Sequence, residues 1–285
     1  MPELPEVQTV VDTLRDRVIG RRIEGVSHVR PDMVAPPGFD LTAALAGQTI
    51  TSLHRRAKRI VFGLDDGGRM YIHLGMTGRL TVERPEVPVA PHTHLIARLA
   101  GGVELRLADP RRFGGIVWMG LGDRHAGLGP EPLTLRPAGL LRRLSHTRRA
   151  VKVALLDQTL IAGIGNIYAD EALHRAGIHP ATPAGDLDEP AVRRLSRAIK
   201  LVLRRAIRAG GSTVRDYVNA EGRPGGYQDA HRVYGREGQP CRACRKPILR
   251  IVLGGRSTHF CPTCQPAGNG PLAASRSRSA SPRRI

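Results

Sequence analysis

No run of 18 apolar residues occurs anywhere in this 285-residue chain, so the pattern excludes a membrane-spanning helix of ordinary length. A basic segment followed by an apolar one is missing behind Met1, and with it the usual form of a secretory leader. The expected location is therefore cytoplasmic, with association to the nucleoid. Acidic residues are scarce: 25 Asp and Glu stand against 44 Lys and Arg, a net charge of +19. The excess is spread along the chain rather than confined to one tail, which favours a polyanionic partner, nucleic acid first. Cysteine is scarcer still. All four fall between 241 and 264, and in a reducing compartment such clustering points to metal rather than to disulfides. Internal repeats are missing, and the glycine-rich stretches match no nucleotide-binding spacing, so neither ATP nor NAD is expected.

What is present divides into blocks. Apolar Val7, Val10, Val11, Leu14 and Val18 recur at helical spacing near the N-terminus, predicting an amphipathic helix over 3–19. Short β-like runs separated by turns such as "DDGG" and "AGG" follow, up to Met119, as in an antiparallel sandwich. "LGPEPLTLRPAG" carries five helix breakers and reads as a linker. Helices are predicted near 151–160, 166–176 and 189–209, then a long Gly-rich loop, "GGSTVRDYVNAEGRPGGYQ". The end, "AGNGPLAASRSRSASPRRI", has four Arg and no acid and is expected to be disordered.

Two C-x-x-C knuckles, Cys241/Cys244 and Cys261/Cys264, lie sixteen residues apart. Four thiolates suit tetrahedral Zn²⁺ with no open position, so one structural zinc is expected, a redox dithiol being the alternative. Arg256, in "LGGRST" between the knuckles, is placed in a hairpin turn where a guanidinium can grip a phosphate. "IAGIGNIYADEAL" joins two helices, with Asn166 read as the N-cap and its free backbone N–H groups as a phosphate site. Removal of Met1 would leave Pro2 as a secondary-amine terminus beside Glu3, and an α-amino group, titrating at roughly 7.7 to 8.0, is partly nucleophilic near neutral pH.

In this order, "PELPEV", "RRAK", "HLGMTGRL", "DPRRFGG", "LGPEPL", "GIGNIYADEAL", "GGSTVRDYV", "VYGREGQPC" and "CPTCQ" resemble the formamidopyrimidine-DNA glycosylase family. The resemblance implies an α+β, multidomain fold: an N-terminal β-sandwich with an N-terminal helix (2–127), a linker (128–134), a helix-two-turn-helix domain with a lesion loop (135–230) and a C-terminal β-hairpin zinc finger (231–266), with the basic tail (267–285) outside it. It also implies a bifunctional enzyme that removes oxidised purines, 8-oxoguanine and formamidopyrimidines, and cuts the strand by β,δ-elimination. The partner is damaged double-stranded DNA, and a monomer is expected. Pro2 would be the nucleophile, Glu3 the acid assisting ring opening, Lys58 the hairpin lysine of elimination, and Arg256 the finger arginine of δ-elimination. Asn166, His92, Arg111 and Arg148 would contact DNA, while Met76, Arg111 and Phe113 would fill the void left by an extruded base. An endonuclease VIII-like enzyme for oxidised pyrimidines, or a non-catalytic zinc-dependent DNA-binding paralogue, are the competing readings. Three positions depart from the family pattern. Gln8 replaces Glu on what reads as a surface helix face, Arg245 replaces Gly after the first knuckle, and Tyr227 replaces Phe in the loop expected to cover the extruded base.

Overall fold

The computed structural model describes residues 2–122, 125, 127–214 and 217–267. From Gly268 on, the basic tail lies outside the described residues. Helix α1 (Leu4–Val18) is followed by strands β1 (Ile23–Val29) and β2 (Val34–Ala35), a short helix α2 (Leu41–Leu45), and strands β3 (Ile50–Arg56), β4 (Arg59–Leu64), β5 (Arg69–His73), β6 (Arg79–Glu83), β7 (Thr93–Leu99), β8 (Val103–Ala108) and β9 (Gly115–Gly120). These strands form two sheets, ordered β1-β7-β8-β6 and β2-β9-β5-β4-β3. Alternation puts Leu80, Val82, Leu95, Ala97, Leu105 and Leu107 of one sheet and Phe62, Met70, Ile72 and Ile116 of the other into one shared core.

Helix α1 closes that core with Val7, Val10, Val11, Leu14 and Val18, as its spacing predicts. Its first residue does something else. Leu4 belongs to the second core, among the helices, and its N–H donates to the Gly163 carbonyl at 3.0 Å. The start of α1 therefore straddles both halves of the molecule, which places Pro2 and Glu3 at their junction.

The helical half contains α3 (Pro137–Leu144), α4 (Val151–Leu156), α5 (Asn166–Ala176) and α6 (Glu189–Arg208). The 3–19, 166–176 and 189–209 expectations match to within a residue or so. The 151–160 helix is shorter, because the Asp157 carboxylate accepts from Thr159 N and Oγ1 at 2.9 and 2.7 Å and turns the chain. Helix α3 has no counterpart in the sequence reading. Pro137 stands at its start, where proline is favoured, so a breaker signal there marks a beginning.

A two-stranded hairpin, β10 (Leu249–Leu253) and β11 (Arg256–Phe260), completes the chain. Gly254 and Gly255, at φ +54° and +73°, supply the positive angles that a two-residue hairpin turn needs. Arg256 is thus the first residue of the returning strand rather than a turn residue.

Among the described residues, no helix is long and apolar enough to cross a membrane.

Candidate active site

A cavity of about 440 Å³ opens where the sandwich, the helices and the hairpin meet. Pro2, Glu3, Lys58, Met76, Arg111, Asn166 and Arg256 all line it, as do Glu6, Ser212 and Tyr217. Seven residues singled out from the sequence are thereby brought together from six separate segments.

Glu3 is the joint. It caps α1, its own N–H donating to Glu6 Oε2 at 2.8 Å in a capping box. Its carboxylate reaches across to the start of α5 and accepts from Gly165 N at 2.8 Å, Ile167 N at 3.0 Å and Tyr168 N at 3.4 Å. A Cβ on Gly165 would lie 2.3 Å from the Glu3 carboxyl carbon, so glycine is required by closeness. The helix start read from sequence as a phosphate site is therefore already filled by this chain's own carboxylate. Asn166 is not the N-cap either. Gly165 holds that position, and the Asn166 Nδ2 donates to the Ser257 carbonyl of the hairpin at 3.0 Å.

Lys58 comes from the β3–β4 turn, whose register is held from outside. The Glu131 carboxylate of "LGPEPL" accepts from Arg55 Nη2 at 2.7 Å, Arg56 Nη1 at 3.0 Å and Ala57 N at 2.7 Å. "RRAK" and "GPEP" are thus two halves of one structure. Lys58 is buried, and burial pushes its ammonium below the usual lysine range while Glu3 and Glu6 pull the other way. Gln8 is no idle surface residue: its Oε1 accepts from Arg55 Nε at 2.9 Å.

The "DPRRFGG" loop is shaped by buried Asp109, which accepts from Thr77 Oγ1 at 2.5 Å, Arg111 N at 3.2 Å and Gly114 N at 2.8 Å. Turned outward, the Arg111 guanidinium stacks 4.7 Å over the Phe113 ring. Phe113 and Met76 are exposed despite being apolar, 55% and 39% respectively. His92 adjoins this loop, its carbonyl accepting from Asp109 N at 3.0 Å. Arg148 is exposed in the turn before α4 and does not line the cavity.

Sequence reasoning passed over Glu6. Its Oε1 accepts from Tyr168 OH and from Ser212 N, the latter at 2.7 Å. Ser212 Oγ in turn lies 3.0 Å from His231 Nε2. The long loop is thereby fastened to α1 beneath the cavity. The E-x-x-E spacing of "ELPE" carried the signal, as a capping box. Burial, then the adjacent Glu3 carboxylate, push the Glu6 carboxyl up to about 7 from 4.5. A raised carboxyl favours the folded state while protonated, so its contribution is full below pH 4.5 and lost as pH rises through about 7. We expect conformational stability to fall by about 3 kcal/mol across that window. Glu6→Gln should flatten this part of the profile in urea titrations at stepped pH, and an unaltered profile would exclude Glu6 as its source.

Tyr227 does not reach the cavity. It is buried against Tyr168 and His231, with ring centroids 5.8 and 5.7 Å away, so its hydroxyl does not bear on what the loop covers.

The four cysteine Sγ atoms lie within 4.8 Å of one another. Separations of 3.9 Å (Cys241 to Cys264) and 3.3 Å (Cys244 to Cys261) bracket the roughly 3.8 Å edge of a tetrahedron with 2.3 Å Zn–S bonds. The donor set fits one structural zinc. Arg245 keeps the knuckle turn, its N–H donating to the Cys241 carbonyl at 2.9 Å, but at φ +66°. Arg245→Gly should stabilise the zinc-loaded finger by up to about 1 kcal/mol, strain relief being partly offset by unfolded-state entropy. Thermal unfolding checks this, and a lowered midpoint would contradict it.

Three family models match in succession: the formamidopyrimidine-DNA glycosylase N-terminal domain over 1–116, its H2TH domain over 128–218, and the zinc finger found in FPG and IleRS over 238–267. The formamidopyrimidine-DNA glycosylase of Gluconobacter oxydans is 48% identical, the match covering 93% of this chain and all of that protein. Its counterpart in Chloroflexus aggregans is 46% identical, over 93% of this chain and 98% of that one. The crystal structure of the MutM (Fpg) protein from Thermus thermophilus superposes with a TM-score of 0.84 at 44% identity, covering 94% of this chain and all of that one. Lactococcus lactis Fpg bound to DNA containing an abasic site gives 0.86 at 35%, covering 93% of this chain and all of that one.

Proposed function

We propose, from the premise that this chain belongs to the formamidopyrimidine-DNA glycosylase family, that it is a bifunctional glycosylase and abasic-site lyase that excises oxidised purines from duplex DNA through Pro2. The observation that carries this reading is the convergence of Pro2, Glu3, Lys58 and Arg256 on one cavity, with the Glu3 carboxylate pinned against the start of α5.

The Pro2 nitrogen bonds to C1′ of the damaged nucleotide as the glycosidic bond breaks and the base leaves. Ring opening, with the proton that leaves the Pro2 nitrogen relayed through the Glu3 carboxylate to O4′, gives an iminium between Pro2 and the sugar, an electron sink. Loss of a C2′ proton expels the 3′ phosphate, and a second elimination expels the 5′ phosphate. Water then releases the amine. Lys58 is suited to the C2′ proton by its place in the cavity beside Pro2 and Glu3, and its burial favours the neutral amine. Arg256 and Asn166 flank the position of the backbone phosphates, and His92 and Arg148 extend the contact to DNA.

Borohydride trapping on a duplex containing 8-oxoguanine tests the reading. A covalent protein–DNA product is expected, and its absence with a verified Pro2 terminus would overturn it. Enzyme action by a monomer at the nucleoid, and division of the chain at 2–127, 128–134, 135–230 and 231–266, belong to the same proposal.

Arg111 would enter the vacated stack and donate to the O2 and N3 acceptors of the orphan cytosine, whereas adenine faces it with an amino group. A bidentate contact of this kind is worth on the order of 1–3 kcal/mol. Excision opposite cytosine should exceed that opposite adenine by about tenfold or more, with Arg111→Ala lowering the ratio. Equal single-turnover rates for the unaltered protein would remove this role.

A further inference from the structure

A second cavity, of about 190 Å³, lies between α5, α6 and the segment leading into the finger, and shares no lining residue with the first. Arg175, Arg205, Arg232 and Arg242 line it, together with Glu171 and Tyr227. The less exposed arginines of the sandwich and its linker are paired with carboxylates, Arg55 and Arg56 with Glu131 and Arg106 with Glu104. Here they are not. Among the described residues, the guanidiniums of Arg175, Arg205 and Arg232 have neither a hydrogen-bond acceptor nor an ion-pair partner.

The one carboxylate in the cavity is already spent on the backbone. Glu171 accepts from Arg232 N, Val233 N and Tyr234 N at 2.9 to 3.0 Å. Arg242 donates to the Asp229 carbonyl at 2.8 Å with one nitrogen and keeps its other donors. The Tyr227 phenol, pushed up to about 12 by burial and by Glu171, stays protonated and is a further donor. Arg175, Arg205 and Arg242 are exposed at the mouth of the cavity and Arg232 is half-buried; partial burial, then the facing charges of Arg205 and Arg232, depress the Arg175 guanidinium. Like charges held together without counter-charge are costly, and a bound anion relieves that cost.

We propose that this cavity binds a phosphate monoester group. Three unpaired guanidiniums match a dianion with three acceptor oxygens better than a singly charged phosphodiester. The volume accepts a phosphate tetrahedron and a few waters, at about 30 Å³ per water, but not a whole nucleotide. A free phosphate ion and the terminal phosphate of a nucleotide share this chemistry. The cavity lies at the root of the long loop, where Tyr227 N donates to the Gly211 carbonyl at 2.9 Å, so its occupant would brace that loop.

The test is calorimetric titration of the zinc-loaded full chain with inorganic phosphate and, in a second arm, with a deoxynucleoside 5′-monophosphate, at fixed ionic strength. It is performed in the Arg256→Ala background to silence the active-site cavity. Saturable 1:1 binding is expected, weakened at least about tenfold by Arg205→Gln with Arg232→Gln. Equal affinity in the two arms assigns the site to the phosphate group alone; tighter nucleotide binding assigns it to a nucleotide terminus. No saturable binding, or binding indifferent to the double substitution, overturns the proposal. Borohydride trapping by the Arg205→Gln, Arg232→Gln protein with Arg256 restored should match that of the unaltered chain, which separates this site from the catalytic reading.

Discussion

A protein that keeps one extra residue in front of Pro2 is expected to lose covalent trapping by about 10³-fold or more, the scale on which removal of a nucleophile acts. Acylated, the Pro2 nitrogen is a tertiary amide whose lone pair is delocalised into the carbonyl and whose pKa no longer lies near neutrality. No neighbour can substitute for it. Among the described residues, Lys58 is the only other amine lining the cavity, and its position is fixed by the Glu131-braced turn. Binding should survive, because the extension leaves Lys58, Asn166 and Arg256 in place, so affinity for a duplex with an abasic-site analogue should change by only a few-fold. Mass spectrometry must verify the retained residue. Trapping at the normal rate by such a protein would remove Pro2 from the chemistry.

Local signals explain what could be read from the sequence. The valines of α1, the alternating strands and the knuckle spacing are periodic or short-range, and they foretell the sandwich, the long helices and the zinc ligands. What stayed hidden is built from partners far apart in sequence. Glu3 meets Gly165, and Glu131 meets the Arg55–Arg56 pair, across 162 and 76 or 75 positions. No window of sequence displays such a pairing. The reading of Asn166 as an N-cap with free N–H groups behind it failed for the same reason: Glu3, from the other end of the chain, takes the N–H groups of the α5 start. Glu6 was legible as a capping residue, but its bond to Ser212 is set by the fold alone.

Lys152 is the extreme case, and breaking its ion pair is expected to cause the largest loss of stability. Nothing in "AVKVALL" distinguishes this lysine from a solvated one, yet Lys152 and Asp170 are 0% and 1% exposed. The ammonium donates to Asp170 Oδ1 and, at 3.1 Å, to the Asn166 carbonyl. Asp170 Oδ2 accepts from His259 N of the finger hairpin at 2.9 Å. One buried pair therefore ties α4, α5 and β11 together beneath the residues that present Asn166 and Arg256. Removing one partner strands the other charge out of water, which costs about 3–5 kcal/mol. Asp170→Ala should cost this much in urea unfolding of the zinc-loaded protein and should also loosen the hairpin, since His259 N loses its acceptor. Lys152→Met should cost a similar amount. The double variant Lys152→Met, Asp170→Leu holds no buried charge, so its loss should fall below the sum of the two by about 1–3 kcal/mol. Strict additivity, or a loss under 1 kcal/mol for either single change, would mean that the pair is not what joins the finger to the helices. The tie is structural, so DNA affinity should fall in step with the population of folded finger, whereas chemistry on prebound DNA at low temperature should be nearly unchanged.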